Sequence, residues 1–375
     1  MDDIELLKKL ISFNTVSPSS EDSIDFLKDY LEDLGFNCKK IESKQGFNLY
    51  AEIGRGVKHL AFAGHMDVVP AGDGWIQSPF EALEQDKSII GRGAVDMKGA
   101  IASFVSAARE FIEDADATKY KMSLLISNDE EITNNYGTPA ILDYLAKSSI
   151  NIDLCIVGEP TNPNIMGEMA KIGRRGSASF DIKIIGKQGH AAYPENAINP
   201  MAASGKIAYE LSKLILDNGD ENFSPSNLEV TSIETGNESR NTIPGSCTLK
   251  CNVRYNPQQS PESLKNIVEK IVQDNIGNCK YSIESLDSAR PFITNNQAAI
   301  NVINEALFKV NGLYPKLSTT GGTSDARFIA QHFPVIEYGL VNKTAHQVNE
   351  ATPIADIKNL TESYAEIIKR FYDMA

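Results

Sequence analysis

Four short apolar runs, each of strand length and each followed closely by polar or charged residues, restrict the folds open to this chain. They cover residues 59–63, 122–126, 154–157 and 335–340. A run without polar alternation must be buried on both faces, which is the situation of a strand inside a largely parallel sheet covered by helices. Helical segments such as 100–111 and 138–147 separate the runs, and this rhythm predicts an α/β domain with a mostly parallel central sheet. Ahead of them, 4–13 and 23–34 have the spacing of amphipathic helices, with Ser20 or Asp22 as the cap of the second.

Near residue 175 the pattern changes. Residues 177–185 alternate, with Phe180, Ile182 and Ile184 on one face; 248–255 do the same, with Leu249, Cys251 and Val253 opposite Lys250, Asn252 and Arg254. Such alternation marks strands with one wet face. Two helices lie among them, one carrying Ile207, Leu211 and Leu214, the other opening at Ser260-Pro261 and carrying Leu264, Ile267, Val268 and Ile271. The order strand, helix, strand, strand, helix, strand predicts a ferredoxin-like (split βαβ) domain. It occupies 176–288 and interrupts a first domain of 1–175 and 289–375, a division expected of a chain of 375 residues.

The formal net charge is −14, which disfavours nucleic acid and anionic membranes as partners. A small anionic substrate remains compatible, because a few arginines set the field inside a cleft. No apolar stretch approaches the ~20 residues of a membrane span, and the opening MDDIELLKKLISF lacks the layout of a signal peptide. The five cysteines form no CxxC pair, and Cys247 and Cys251 share one face of a strand, as core residues do. A cytoplasmic protein is expected.

Chemistry gathers where the apolar runs stop. The first is followed by His65 and Asp67, the second by Glu130 and Glu131, the third by Glu159; Asp96 sits in GRGAVDMKG and His346 in TAHQVNE. Ligands of open α/β sheets bind beyond the carboxyl ends of the strands. Singly, each of these residues reads as a turn or a helix cap. Together, two histidines and several carboxylates suit zinc or its neighbours, and are too rich in imidazole for calcium or magnesium. A carboxylate using both oxygens can serve two ions ~3.5–4 Å apart, and one glutamate of the 130–131 pair can ligate while the other acts as base.

The motifs GHMDVVPAGDGW, GRGAVDMKGAI, SNDEE, GEPT and AHQVNE resemble, in order along the chain, those of the two-zinc exopeptidases and deacylases that include the aminoacylases and acetylornithine deacetylases. The resemblance implies two Zn2+ per subunit, one of them exchangeable for Co2+ or Mn2+. It makes Asp96 the bridging ligand, with His65 and Glu159 completing one site and Glu131 and His346 the other. Glu130 becomes the general base, Asp67 the acid that orients the His65 ring, and a cis peptide is expected between Asp96 and Met97. Finer motifs (GRRGS, GHAAYP, RNTIPG, GGTSDARFI, LVNKTAHQVNE) are most similar to those of members acting on N-succinyl-LL-2,6-diaminopimelate, releasing succinate and LL-diaminopimelate. They imply Arg174, Ser177, Tyr193, Asn241, Arg254, Gly322, Thr323 and Asn342 as substrate contacts. They also imply a homodimer joined through 176–288, in which His190 reaches the partner's site. A sibling deacylase or dipeptidase, or a non-catalytic metal-binding protein, are the alternatives. The stretch 132–136 looks less typical of the family and carries no assigned residue.

Overall fold

The computed structural model describes residues 1–16, 21–132 and 135–373, which form two compact units. The first takes Met1–Ile172, Ile293–Ser318 and the chain from Ser324 onward; the second takes Gly173–Phe292 with Thr319–Thr323. The change of pattern in the sequence predicts a boundary at 176 and keeps 319–323 with the first unit; the structure differs at both. The shift has a local cause: Arg174 Nη1 donates to the Gly322 carbonyl at 3.0 Å, and the Thr319 hydroxyl donates to the Asn222 carbonyl.

Along the chain the sheet strands are β1 (Asn37–Ser43), β2 (Gly46–Gly54), β3 (His59–His65), β4 (Lys121–Ser127), β5 (Leu154–Val157), β6 (Met169–Lys171), β7 (Gly176–Ile185), β8 (Asn227–Glu234), β9 (Ser246–Tyr255), β10 (Lys280–Ala289), β11 (Lys316–Ser318) and β12 (Val335–Glu337). The main helices are α1 (Asp3–Ile11), α2 (Asp22–Asp33), α3 (Lys98–Asp114), α4 (Thr138–Lys147), α5 (Pro200–Ser212), α6 (Pro261–Asn275), α7 (Gln297–Asn311) and α8 (Ile354–Asp373).

The first unit is built on one sheet, ordered β1-β2-β4-β3-β5-β12-β6-β11. Its centre is parallel: β3 lies between β4 and β5, and β12 runs alongside β5. All of β3 and β5 is buried, as their unbroken apolar runs require. The β1–β2 hairpin attaches antiparallel to β4. The last apolar run forms a strand only to Glu337, short of 340. Helix α2 starts at Asp22 and has Glu21 at its N-cap, so Asp22 is inside the helix; Ser20 lies outside the described residues. In the core, Phe62 of β3 stacks on Phe104 of α3 at 4.4 Å, and Tyr364 of α8 packs edge-on against both rings. The buried Tyr364 hydroxyl donates to the Tyr338 carbonyl at 2.7 Å, so the ring carries no unpaired polar atom into the core.

The second unit has an antiparallel sheet ordered β8-β9-β7-β10. Numbered along the chain, its strands stand 2-3-1-4, the arrangement of a split βαβ fold. Phe180, Ile182, Leu249, Cys251 and Val253 pack with Ile207 and Leu211 of α5 and Leu264 and Val268 of α6. Ser260 caps α6 reciprocally with Ser263, and Pro261 opens it. Leu214 packs here too, although α5 ends at Ser212. Among the described residues, no helix is long and apolar enough to cross a membrane.

Replacing Phe104 by Ala deletes a ring from the joint between sheet and helices, and should lower unfolding free energy by ~3–5 kcal/mol. Urea denaturation measures this; a loss below ~1 kcal/mol would contradict the packing described.

Candidate metal centre

The parallel register brings the ends of the central strands together. His65 closes β3 directly beside Ser127 of β4, and the turn after Ser127 carries Glu130 and Glu131. Glu159 follows the end of β5. Asp96 immediately precedes the cis peptide Asp96–Met97, the expected bond, ahead of α3. His346 comes from the loop after β12 and holds φ at +63°, a left-handed conformation that costs a non-glycine residue ~1–2 kcal/mol. Such strain persists where its surroundings hold it, commonly at functional positions.

These residues converge on Asp96. Its Oδ1 is 3.2 Å from His65 Nε2 and its Oδ2 is 3.2 Å from His346 Nε2, so each carboxylate oxygen faces one imidazole. Glu159 Oε1 is 3.8 Å from His65 Nε2, and Glu131 Oε1 is 3.0 Å from His346 Nε2. Two ligand sets follow, His65–Asp96–Glu159 and Asp96–Glu131–His346, each with its donor atoms within 4.8 Å of one another. Asp96 belongs to both. Glu130 belongs to neither, and groups with His65 and Glu131.

The His65 ring is oriented by main chain. Its Nδ1 donates to the Asp67 carbonyl at 2.9 Å; a carbonyl only accepts, so Nδ1 carries a proton and Nε2 faces the acids. The Asp67 carboxylate lies 3.8 Å from the same nitrogen. It also accepts from the main-chain N–H groups of Glu130, at 3.0 and 3.1 Å, and of Glu131, at 2.9 Å.

Electrostatics follow from crowding. Burial works against a charged His65, but the hydrogen bond and charge of Asp96 prevail and raise its pKa well above the ordinary value. Hydrogen bonds to Asp96 and Glu131 raise His346 to about 10. Burial opposes ionisation of Asp96, yet the two imidazoles hold it below the usual carboxylate range. Glu130 is pushed well above its normal value by burial, with Glu159, Asp325 and Glu131 adding to the effect against His65. The donor set, two imidazole Nε2 atoms and three carboxylates with one shared, fits a pair of borderline metal ions such as zinc.

A buried ion pair beside this centre has no counterpart among the residues the sequence singles out. Arg92 Nη1 donates to Glu350 Oε2 at 2.8 Å, and both side chains are nearly solvent-free. Both residues stand inside quoted motifs, GRGAVDMKG and AHQVNE; a charged residue flanked by ligand segments was the available signal.

The remaining residues of interest divide between the units. In the second, Ser177 of β7 faces Arg254 of β9 across the sheet on its polar side, and Asn252 donates to Ser177 and Ser179. Arg174 is buried against the Gly322 carbonyl, with Thr323 half-buried beside it, whereas Arg175 is tied to Pro225 and Asn227. His190 and Tyr193 are exposed, with rings 5.7 Å apart, and the Asn241 carbonyl accepts from Ala191 N–H at 2.9 Å. Asn342 belongs to the first unit and is exposed; its N–H donates to the Asn162 carbonyl at 2.9 Å.

A profile of Peptidase family M20/M25/M40 matches residues 61–370. The chain is 44% identical over 382 residues to the succinyl-diaminopimelate desuccinylase of Ehrlichia canis (strain Jake), covering 100% of both. It is 43% identical to the desuccinylase of Pelagibacter ubique, over 99% of each. Among solved structures it is similar to the M20 family metallo-carboxypeptidase Sso-CP2 of Sulfolobus solfataricus, with a TM-score of 0.81, 20% identity and 100% of both chains covered. It is also similar to the Bacillus subtilis YXEP protein, described as a dinuclear metal binding peptidase, with a TM-score of 0.74, 17% identity and 97% and 96% of the chains covered.

Because neighbouring acids raise His65 and His346, and metal ligation needs their neutral rings, zinc uptake at pH 7 should release protons. Calorimetry in buffers of different ionisation enthalpy reads this release; heats independent of buffer would contradict the electrostatics.

Proposed function

The chain belongs to Peptidase family M20/M25/M40 and is a metal-dependent hydrolase, and from that premise we propose that it cleaves the amide bond of N-succinyl-LL-2,6-diaminopimelate to give succinate and LL-diaminopimelate. The observation that carries the chemistry is Asp96, with one oxygen toward His65 and the other toward His346. The choice of substrate is supported by full-length similarity, at 39–44% identity, to relatives named succinyl-diaminopimelate desuccinylase.

In this reading His65, Asp96 and Glu159 hold one zinc, and Asp96, Glu131 and His346 the other, one ion being exchangeable for Co2+ or Mn2+. When bound, the pair polarises the scissile carbonyl and brings the pKa of the attacking water to ~7. Glu130 takes that water's proton and passes it to the departing amine nitrogen. A carboxylate beside the ligands but outside both sets is free to accept a proton and return it. Asp67 holds the Glu130–Glu131 main chain, so the base is presented from a fixed turn.

Arg174 and Arg254 supply planar, bidentate cations for the substrate carboxylates, and the overall negative charge makes such local cations selective rather than general anion binders. Ser177, Gly322, Thr323 and Asn342 complete the substrate contacts, with Tyr193 and Asn241 beside His190. We place His190 in the site of a partner subunit, as a donor to the developing oxyanion in a cytoplasmic homodimer joined through 176–288.

Glu130→Gln should retain both metal ions while turnover of the succinyl substrate falls by ~10²–10⁴-fold. His190→Ala should be similarly impaired, and mixing the two inactive variants should restore activity in mixed dimers. Near-normal turnover of Glu130→Gln removes the base; no recovery in proven mixed dimers removes the action of His190 across subunits. Faster cleavage of acetylated than of succinylated substrates by the unmodified enzyme would redirect the assignment to a sibling deacylase.

A further inference from the structure

The Arg92–Glu350 pair lies outside both ligand sets, yet its contacts reach the segments next to both ligand histidines and the shared aspartate. Glu350 Oε2 accepts from Arg92 Nη1 at 2.8 Å and from the Gly93 N–H at 3.0 Å. Its Oε1 accepts from the N–H groups of Val95, at 2.8 Å, and of Asp96 itself, at 3.1 Å. All four bonds converge on one carboxylate with no solvent exposure. Arg92 then spreads the connection. Nη1 also donates to the Gln347 carbonyl, next to His346, at 3.2 Å. Nη2 donates to the carbonyls of Pro70 and Ala71, in the loop after His65 and Asp67, at 3.3 and 3.1 Å. The guanidinium lies 5.2 Å from the Trp75 ring, whose Nε1 donates to the same Ala71 carbonyl at 2.8 Å.

We propose that this buried pair is the positioning element of the metal centre. It sets the spacing of the His65, Asp96 and His346 loops, so that affinity for both ions depends on it although it ligates neither. The proposal rests on the reading above that Asp96 is shared by two ions. A buried pair of this kind contributes little net stability, because desolvation offsets the attraction; what its geometry supplies is a fixed distance. Packing makes the site intolerant of drift. Gly93 holds φ at +84°, and a Cβ there would stand 2.9 Å from Val68 and 3.0 Å from Lys98, so the loop has little room to move.

The chemistry dictates the test. Glu350→Gln keeps the shape but turns two of the four acceptor directions into N–H donors facing N–H donors. Arg92→Lys keeps the charge, but a single ammonium cannot span Glu350, Gln347, Pro70 and Ala71 together. Zinc affinity of each ion, read by chelator competition, should weaken by ~10–100-fold for Glu350→Gln, and less for Arg92→Lys. Both sites should weaken together, whereas His346→Ala should chiefly weaken one. The visible absorption of the Co2+-loaded protein should shift in Glu350→Gln, because the ligand geometry relaxes. A role confined to the fold would instead lower the urea midpoint of the metal-free chain and leave both the metal affinities and the Co2+ spectrum unchanged. Zinc affinities within about twofold of the unmodified protein overturn the proposal, and if Glu350→Gln does not fold, the same result with Arg92→Lys does so. If the unmodified chain binds two zinc ions but releases no succinate, the substrate reading fails and this inference stands.

Discussion

Sharing one carboxylate between two imidazoles is the constraint around which the first unit is arranged. Asp96 must present both oxygens, one to His65 and one to His346, within a few ångströms of Glu131 and Glu159. Acids gathered this closely repel one another unless protons or cations intervene, and burial raises the cost. Such a gathering needs a scaffold that cannot relax. A parallel sheet buried on both faces supplies it, because strand register fixes the heights of its carboxyl ends and the adjoining loops inherit them.

That scaffold was legible wherever a single physical requirement dominated the sequence. Unbroken apolar runs of strand length pointed to central strands, and the strict alternation around Phe180 and Leu249 to a one-faced sheet. The ligands were legible because imidazoles and carboxylates repeatedly followed those runs. Competition between comparable interactions was harder to read. Strand β1 mixes half-buried and exposed positions, and β2 buries only its middle four residues, so the periodicity of the hairpin is weak. Asp67 had a ring and two main-chain amides within reach, and spacing alone does not say how they share the carboxylate. Arg92 and Glu350 lie 258 residues apart, and no local pattern announces a pair formed only by folding.

The two units carry different chemical groups. The first gathers the two histidines and the crowded carboxylates, and the fold is shared with peptidases at about one-fifth sequence identity, so the scaffold by itself does not select a substrate. The second carries most of the arginine and hydroxyl groups suited to carboxylates, placed on the polar side of a sheet whose other side is a sealed apolar core. Alternation along β7 and β9 lets those polar residues vary without disturbing the packing.

The central claim is that Asp96 joins two metal ions. Anomalous diffraction at the zinc edge from crystals of the zinc-loaded protein tests it directly. The account predicts two peaks, each bonded to a different oxygen of Asp96, one also bonded to His65 and Glu159 and the other to His346 and Glu131. A single peak at full zinc loading, or a second ion without a bond to Asp96, would contradict it.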